Sequence, residues 1–435
     1  MLSIYVEEIN PRIEYIFSFI LKDLLKLQFE LTDQESTFRE HKGAKMSYSF
    51  TAPENSPLHF TATKLLFEDK INDQPIQIFN KGSENIIFPV NSGIFPFDPF
   101  AASFYLVTRY EEYLPHKKDK HKRYIPEQSI AYKGGFLEKP IVDIWASRIK
   151  ETLLNLYPKL PFGEKQFSFC PTLDIDHAYA YRGKGLVRTA GALAIRLAKL
   201  KFRKFFNRLS VLLHLKQDPY DSYQKQADLH EKYKLKPIYF ILIGDYGKFD
   251  PNSHHKNPIF QKLIKHLQGN YPIGLHPSYR SNSKRSRLTK ERKRLESILN
   301  EKVHKSRQHF IKLTIPNTYR DLVKEGITED YSMGYPSRSG FRASTSNPFY
   351  FFDLEKNKTT KLRVQPFVIM DTTLKIHLKI RAKDVGHHVR PLVNEVKAVN
   401  GHFSYIFHNE SIGGKRQWKN WGGVYEKIIK ICQEN

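Results

Sequence analysis

Apolar positions fall into two patterns that meet near residue 165. Before it, hydrophobic residues recur at helical spacing over 10–28, and strand-like stretches lie near 47–51 and 85–90. A helix is expected from about Ala101 to Tyr113, a charged loop from Lys117 to Arg123, and a last helix from Asp143 to about Leu156. Pro158, Pro161 and Gly163 then punctuate the chain. The reading is a smaller mixed α/β domain over residues 1–165.

From 166 to 435, short apolar runs alternate with helical stretches, the signature of βα units and a parallel sheet or barrel. The strand candidates are Phe167–Leu173, Pro237–Ile243, Ile273–Leu275, His309–Leu313, Val364–Ile369 and Phe403–Phe407. Several of these runs end in an ionisable residue: Asp174, His276, Asp371 and His408. In βα barrels the C-terminal strand ends carry the chemistry, so these residues point to one shared site.

Composition narrows the class. With 40% hydrophobic and 13% aromatic residues in 435, the chain has material for large cores and is not a disordered tail. Cys170 and Cys432 are the only cysteines, which excludes a disulfide framework and any Cys-x-x-Cys site and makes a reducing compartment the default. The apolar run Tyr15–Leu21 is flanked by Glu7, Glu8, Lys22 and Asp23, the wrong charge order for a signal peptide. No stretch approaches the ~20 apolar residues of a membrane span, so the expectation is a cytoplasmic chain, soluble or peripheral. Neither a Gly-x-Ser-x-Gly elbow nor a phosphate-binding loop occurs, which argues against serine hydrolases and P-loop enzymes.

The net charge of +25 is unevenly placed: residues 1–165 hold 21 basic and 22 acidic side chains, residues 166–435 hold 49 and 23. Two segments concentrate the excess. Residues 183–216 carry nine Lys or Arg and no acid, interleaved with Leu186, Leu193, Ile195, Leu197, Leu200, Phe202, Phe205 and Phe206. That pattern suits a basic amphipathic helix on an anionic membrane surface, or a helical insertion packed on the barrel. Residues 280–307 carry eleven basic and three acidic side chains with Leu288, Leu295, Ile298 and Leu299 at helical spacing, which suits a solvated helix face or phosphate contacts. Nucleic-acid binding is the rival from another class. No zinc finger, aromatic RNA-binding signature or helix-turn-helix supports it.

The strongest chemical element is Thr172-Leu173-Asp174-Ile175-Asp176-His177. Two carboxylates at a strand end beside an imidazole suit one metal ligand and one general base, or a turn with Asp-capped amides. Downstream come Gly274-Leu275-His276-Pro277-Ser278-Tyr279, Arg307-Gln308-His309, Asp330-Tyr331-Ser332, Gly340-Phe341-Arg342 and Tyr405-Ile406-Phe407-His408.

In the order of these motifs the chain resembles the polysaccharide deacetylase superfamily, whose catalytic domain is a distorted (β/α) barrel. Residues 166–435 correspond to that barrel, and 1–165 to an extra domain of unknown role. The resemblance implies Asp174 as general base, Asp176 and His276 as ligands of a divalent metal such as zinc, Arg307 as the residue positioning the base, and His408 as general acid. Asp330, Arg342 and Asp371 become candidates for sugar contact, support of the site or a buried structural ion pair, and Ser278 for sugar contact or support. Trp418 and Trp421 suit a sugar platform or, more simply, packing that closes the barrel.

One position departs from the family. Its second ligating His usually follows the first by four residues, and here that residue is Arg280, a permanent cation. His309 or His177 is then needed as a third ligand, because a catalytic zinc site normally has three. Without one, the alternative is an inactive carbohydrate-binding protein on the same scaffold. With one, the resemblance implies hydrolytic removal of acetyl groups from an N-acetylated glycan. The basic segment 183–216 adds a possible place for it, the inner face of a membrane.

Overall fold

A computed structural model describes residues 1–81 and 84–434. The N-terminal domain is built on a parallel sheet of β1 (Leu2–Val6), β2 (Phe29–Thr32), β3 (Lys45–Ser49) and β4 (His59–Thr61), in the order β2-β1-β3-β4. The expected helix over 10–28 is present as Pro11–Phe17 continued by a wider turn, Ser18–Leu24. Asn10 caps its N-terminus by accepting from the backbone N–H of Arg12 and Ile13. A short hairpin, β5 (Phe79–Lys81) and β6 (Glu84–Ile86), stands where one longer strand-like stretch is expected. The helix Pro99–Val107 and the turn Tyr110–Glu112 replace the single helix expected to Tyr113, because Arg109 between them is left-handed at φ 57°. Helix Ile141–Leu156 ends the domain and the first barrel strand starts at Ser168.

That strand is β7 (Ser168–Ile175), followed by β8 (Ile238–Leu242), β9 (Ile273–His276), β10 (Lys305–Ser306), β11 (Glu329–Met333), β12 (Phe349–Asp353), β13 (Lys358–Pro366), β14 (Ile369–Met370) and β15 (His402–His408). Seven positions form a ring. β15, β7, β8, β9, β10 and β11 pair in parallel in that order, and the extended segment 358–370 supplies the seventh. Its first part, β13, pairs with β11, and its end, β14, pairs with β15. At the handover Phe367 N donates to Met333 O and Val368 N to Ser404 O, which closes the sheet on itself. Because one strand serves its two neighbours with different residues, the barrel is distorted. β12 hangs outside the ring, antiparallel to β13.

The apolar runs explain this placement. β8 is buried along its whole length, as expected of a parallel strand covered on both faces. The architecture is therefore the α/β barrel with a smaller α/β domain in front that the patterning indicates. One strand expectation fails: His309–Leu313 is not a strand. β10 is the dipeptide Lys305–Ser306, and His309–Ile311 form a single turn in which Phe310 (φ 62°) and Ile311 (φ 51°) are left-handed. An apolar run there fills the barrel mouth instead of joining the ladder.

The two domains are joined by buried polar contacts. Glu112 receives Arg342 through both carboxylate oxygens (2.9 and 2.6 Å) and Arg109 Nε at 2.9 Å. Asp143 accepts from Thr345 and Asn347 and from the backbone and hydroxyl of Ser346. Gly340 (φ 126°) brings its backbone so near the first domain that a Cβ there would lie 2.5 Å from Leu137 O.

Burial alone would raise the Glu112 carboxyl, but Arg342 and Arg109 outweigh it and hold it at about 2. A depressed folded-state value contributes stability that is fully present above the ordinary 4.5 and is lost as the pH falls towards 2. Glu112→Ala leaves two guanidinium groups buried without their shared partner, so a loss of about 3–5 kcal/mol is expected in denaturant unfolding at neutral pH. The deficit relative to wild type should shrink as the pH is lowered through that window.

Candidate active site and metal centre

The C-terminal strand ends of the barrel converge on a pocket of about 280 Å³ lined by Asp174, Asp176, His276, His309, His408 and the apolar side chains of Phe310, Ile311, Met370 and Ile376. Asp174 and Asp176 leave β7, His276 ends β9, His309 follows β10 and His408 ends β15. The register of the ring makes them neighbours: His408 lies beside Asp174 across the β15–β7 pair.

Asp176 is the hub. Its Oδ1 lies 3.2 Å from His276 Nε2, and its Oδ2 lies 3.3 Å from His309 Nε2 and 3.6 Å from His408 Nε2. Each imidazole is fixed from behind through its other nitrogen. His276 Nδ1 donates to Arg307 O at 2.5 Å, His309 Nδ1 to Asp250 at 2.8 Å and His408 Nδ1 to Asp371 at 2.8 Å. Asp371 also accepts from the His408 backbone N–H and from Ser411 Oγ.

The residues fit a divalent cation. Asp176, His276 and His309 each offer an atom within 4.8 Å of the others, and Asp176 Oδ1 is buried with no hydrogen-bond partner. With both Nδ1 atoms committed as donors, neutral His276 and His309 turn their Nε2 lone pairs towards carboxylate oxygens. Acceptors facing acceptors in a buried cleft is an arrangement that a cation resolves, and outer hydrogen bonds of this kind orient metal-ligating imidazoles. Without a cation, protons take that place. Burial disfavours charged His309, yet Asp176 and Asp250 raise it to about 9. His408 is likewise raised well above its ordinary value, against burial, by Asp371, Asp176 and Asp174. Asp176 is held well below the usual carboxylate range, again against burial, chiefly by His309, His276 and His408.

Arg307 is wholly buried and donates from Nη1 to Asp174 (2.9 Å) and Thr172 (2.7 Å) and from Nε to Tyr331 O (2.9 Å). Phe240 covers its guanidinium at 4.5 Å. Asp330 lies behind it, bonded to Ser306 and Ser332 and raised to about 6 by burial.

Not every expected residue reaches the pocket. Arg342 does not reach the pocket, because Glu112 of the first domain holds it. Ser278 turns away as well, its hydroxyl and backbone N–H committed to Glu291. Asp330 supports the cluster from behind through Ser306 and Ser332, and Asp371 through His408. The third donor beside Asp176 and His276 is His309, whereas His177 Nδ1 pairs with Glu410 at 2.7 Å and Arg280 is exposed. Trp418 and Trp421 are buried against one another and under Lys375, which leaves no open face for a sugar. Two participants were missed. Asp250 sits in the loop after β8, where an acid at the catalytic end of a strand was the available signal. Arg123 comes from the first domain: it lines the pocket and donates to Phe310 O at 2.6 Å, holding the left-handed turn beside His309. Nothing in the sequence near Arg123 announces that role.

A family model described as a family of unknown function (DUF7033) matches residues 2–158. No curated protein matches the chain. Among solved structures, the chain is similar to a protein assigned as a polysaccharide deacetylase from Mycobacterium smegmatis, with 12% identity over 63% of this chain and 86% of that one and a TM-score of 0.40. Puue allantoinase has 11% identity over 62% and 84%, with a TM-score of 0.39. A CE4 family pseudoenzyme from Bacillus anthracis has 11% identity over 61% and 60%, with a TM-score of 0.29.

Outer-sphere support gives a direct test. Asp250→Asn should weaken binding of zinc or cobalt, followed by calorimetry or cobalt absorption, by about 10–100-fold while leaving the fold intact. His177→Ala should leave it unchanged.

Proposed function

We propose that this chain is a metal-dependent hydrolase that removes acetyl groups from an N-acetylated sugar in a polysaccharide or glycan precursor. The observation that carries the reading is the pairing of a three-donor cluster, Asp176, His276 and His309, with a separately held carboxylate and imidazole on either side of it. Asp176, His276 and His309 would hold the cation. When bound, a divalent cation such as zinc supplies Lewis-acid polarisation of a carbonyl and of water.

The chain's own residues do the rest. Asp174, aimed by Arg307, which Thr172 helps to hold, accepts the proton of the attacking water as the water oxygen bonds to the acetyl carbon. His408, oriented by Asp371, donates to the amide nitrogen as the C–N bond breaks. The products are acetate and a free amine. Ile311 and Met370 offer an apolar wall suited to the acetyl methyl group. The separately held carboxylate of Asp174 and imidazole of His408 support the hydrolase reading over an inactive sugar-binding protein, which needs neither.

Acetate release from N-acetylated oligosaccharides by the metal-reconstituted chain tests this. Asp174→Asn should lower kcat by about 10²–10⁴-fold with metal content retained, whereas His276→Ala should lose the metal. A folded wild-type chain that holds no divalent metal after reconstitution overturns the proposal.

A further inference from the structure

Between β7 and β8 the chain leaves the barrel as a helical hairpin, Leu186–Ala198 and Phe202–Leu212, broken at the left-handed Leu200. Its base is clamped. Asp218, buried, accepts from the backbone N–H groups of Ala180, Tyr181, Arg182 and Tyr220. One flank is seated on the loop after β8, where Arg188 donates to Asn252 O and covers the Tyr246 ring at 4.1 Å. Both anchoring loops leave the C-terminal strand ends, so the hairpin stands on the same end of the barrel as the pocket.

The rest of it is open. No residue of the first helix is buried, and exposure reaches 89% at Leu186, 87% at Val187 and 74% at Leu200 and Leu215. Phe206, Leu213 and Ile195 are more than half exposed. Nine cations and no acid lie among them. The other basic segment is the internal control. In helix Arg285–Leu299, Arg294 and Lys290 pair with Asp245, and Arg292 and Arg285 with Glu325. Among the described residues, no carboxylate lies within ion-pair distance of a cation from 184 to 216; the nearest pair along the chain is Arg182 with Asp221.

An exposed apolar surface with unpaired positive charge needs an occupant that is both apolar and anionic. A second copy of the hairpin would bring nine cations against nine, and a nucleic acid would leave Leu186, Val187 and Leu200 in water. We propose that this hairpin docks the chain on an anionic lipid bilayer, its leucines and phenylalanines entering the acyl boundary and its cations meeting lipid phosphates, with the catalytic end turned towards the membrane. Joined to the deacetylase reading, it makes the substrate a lipid-held glycan; the docking itself does not depend on that reading.

The test uses the full chain and sedimentation with vesicles of phosphatidylcholine alone or mixed with phosphatidylglycerol. The chain should pellet with the mixed vesicles and stay in solution with the neutral ones. Leu186→Ser/Leu200→Ser/Phe206→Ser should lower the bound-to-free ratio at least tenfold. Arg203→Gln/Lys204→Gln should lower it roughly fivefold per cation removed, and Lys293→Gln/Lys302→Gln should not change it. Equal recovery in both supernatants overturns the proposal. So does full binding by the triple serine variant with wild-type helicity, since a contact indifferent to those side chains is a polyanion contact and not a bilayer. Acetate release from a soluble oligosaccharide, measured on the same variants, keeps the two proposals separable: the hairpin substitutions should leave it at the wild-type level.

Discussion

One buried guanidinium organises the C-terminal end of the barrel. Arg307 is taken fully out of water, at a desolvation cost of several kcal/mol that only well-placed partners offset. Those partners come from across the barrel: Asp174 and Thr172 on β7, Tyr331 O on β11, and the ring of Phe240 on β8. The same residue's carbonyl receives His276 Nδ1 and so points Nε2 at Asp176. A single position thus holds Asp174 with its side chain and His276 with its backbone. The ring must close for this to happen, since β7, β10 and β11 contribute together, and the handover from β11 to β15 along residues 358–370 is what closes it.

The same geometry explains how a site with Arg280 in place of a second histidine still gathers three donors. A histidine four residues after His276 would approach from the β9 loop. His309 approaches from the next strand position, carried by a turn with two left-handed residues that ends the two-residue β10. Non-glycine residues in that conformation cost energy and persist only where neighbours enforce them. Here Arg123 from the first domain binds Phe310 O, and Asp250 from the β8 loop binds His309. Three separate parts of the chain therefore set one imidazole.

That dependence marks what was legible in the sequence. Asp174, Asp176, His276 and His408 stand at the ends of apolar runs, and a parallel ring brings strand ends together whatever the connecting loops do, so patterning was enough to group them. His309 was assigned to a strand because Phe310, Ile311 and Leu313 are apolar, and period alone does not separate a strand from an apolar plug at a barrel mouth. Asp250, Arg123 and the Glu112–Arg342 pair depend on tertiary contacts between segments 59 to 230 residues apart, for which no local pattern exists. Charge counting located both basic segments equally well. Only the placement of acids in space separates the neutralised helix from the unneutralised hairpin.

The first domain then has a physical role even though its own sheet carries none of the cluster. It covers one side of the barrel mouth: Arg123 lines the pocket, and Glu112 and Asp143 tie the domain to the 340–347 loop of the barrel. Those ties are buried and charged, so they hold a fixed geometry or fail together. A loose linker would let the domain drift and release Phe310, and with it the orientation of His309. The extra domain is thus part of the wall that shapes the pocket.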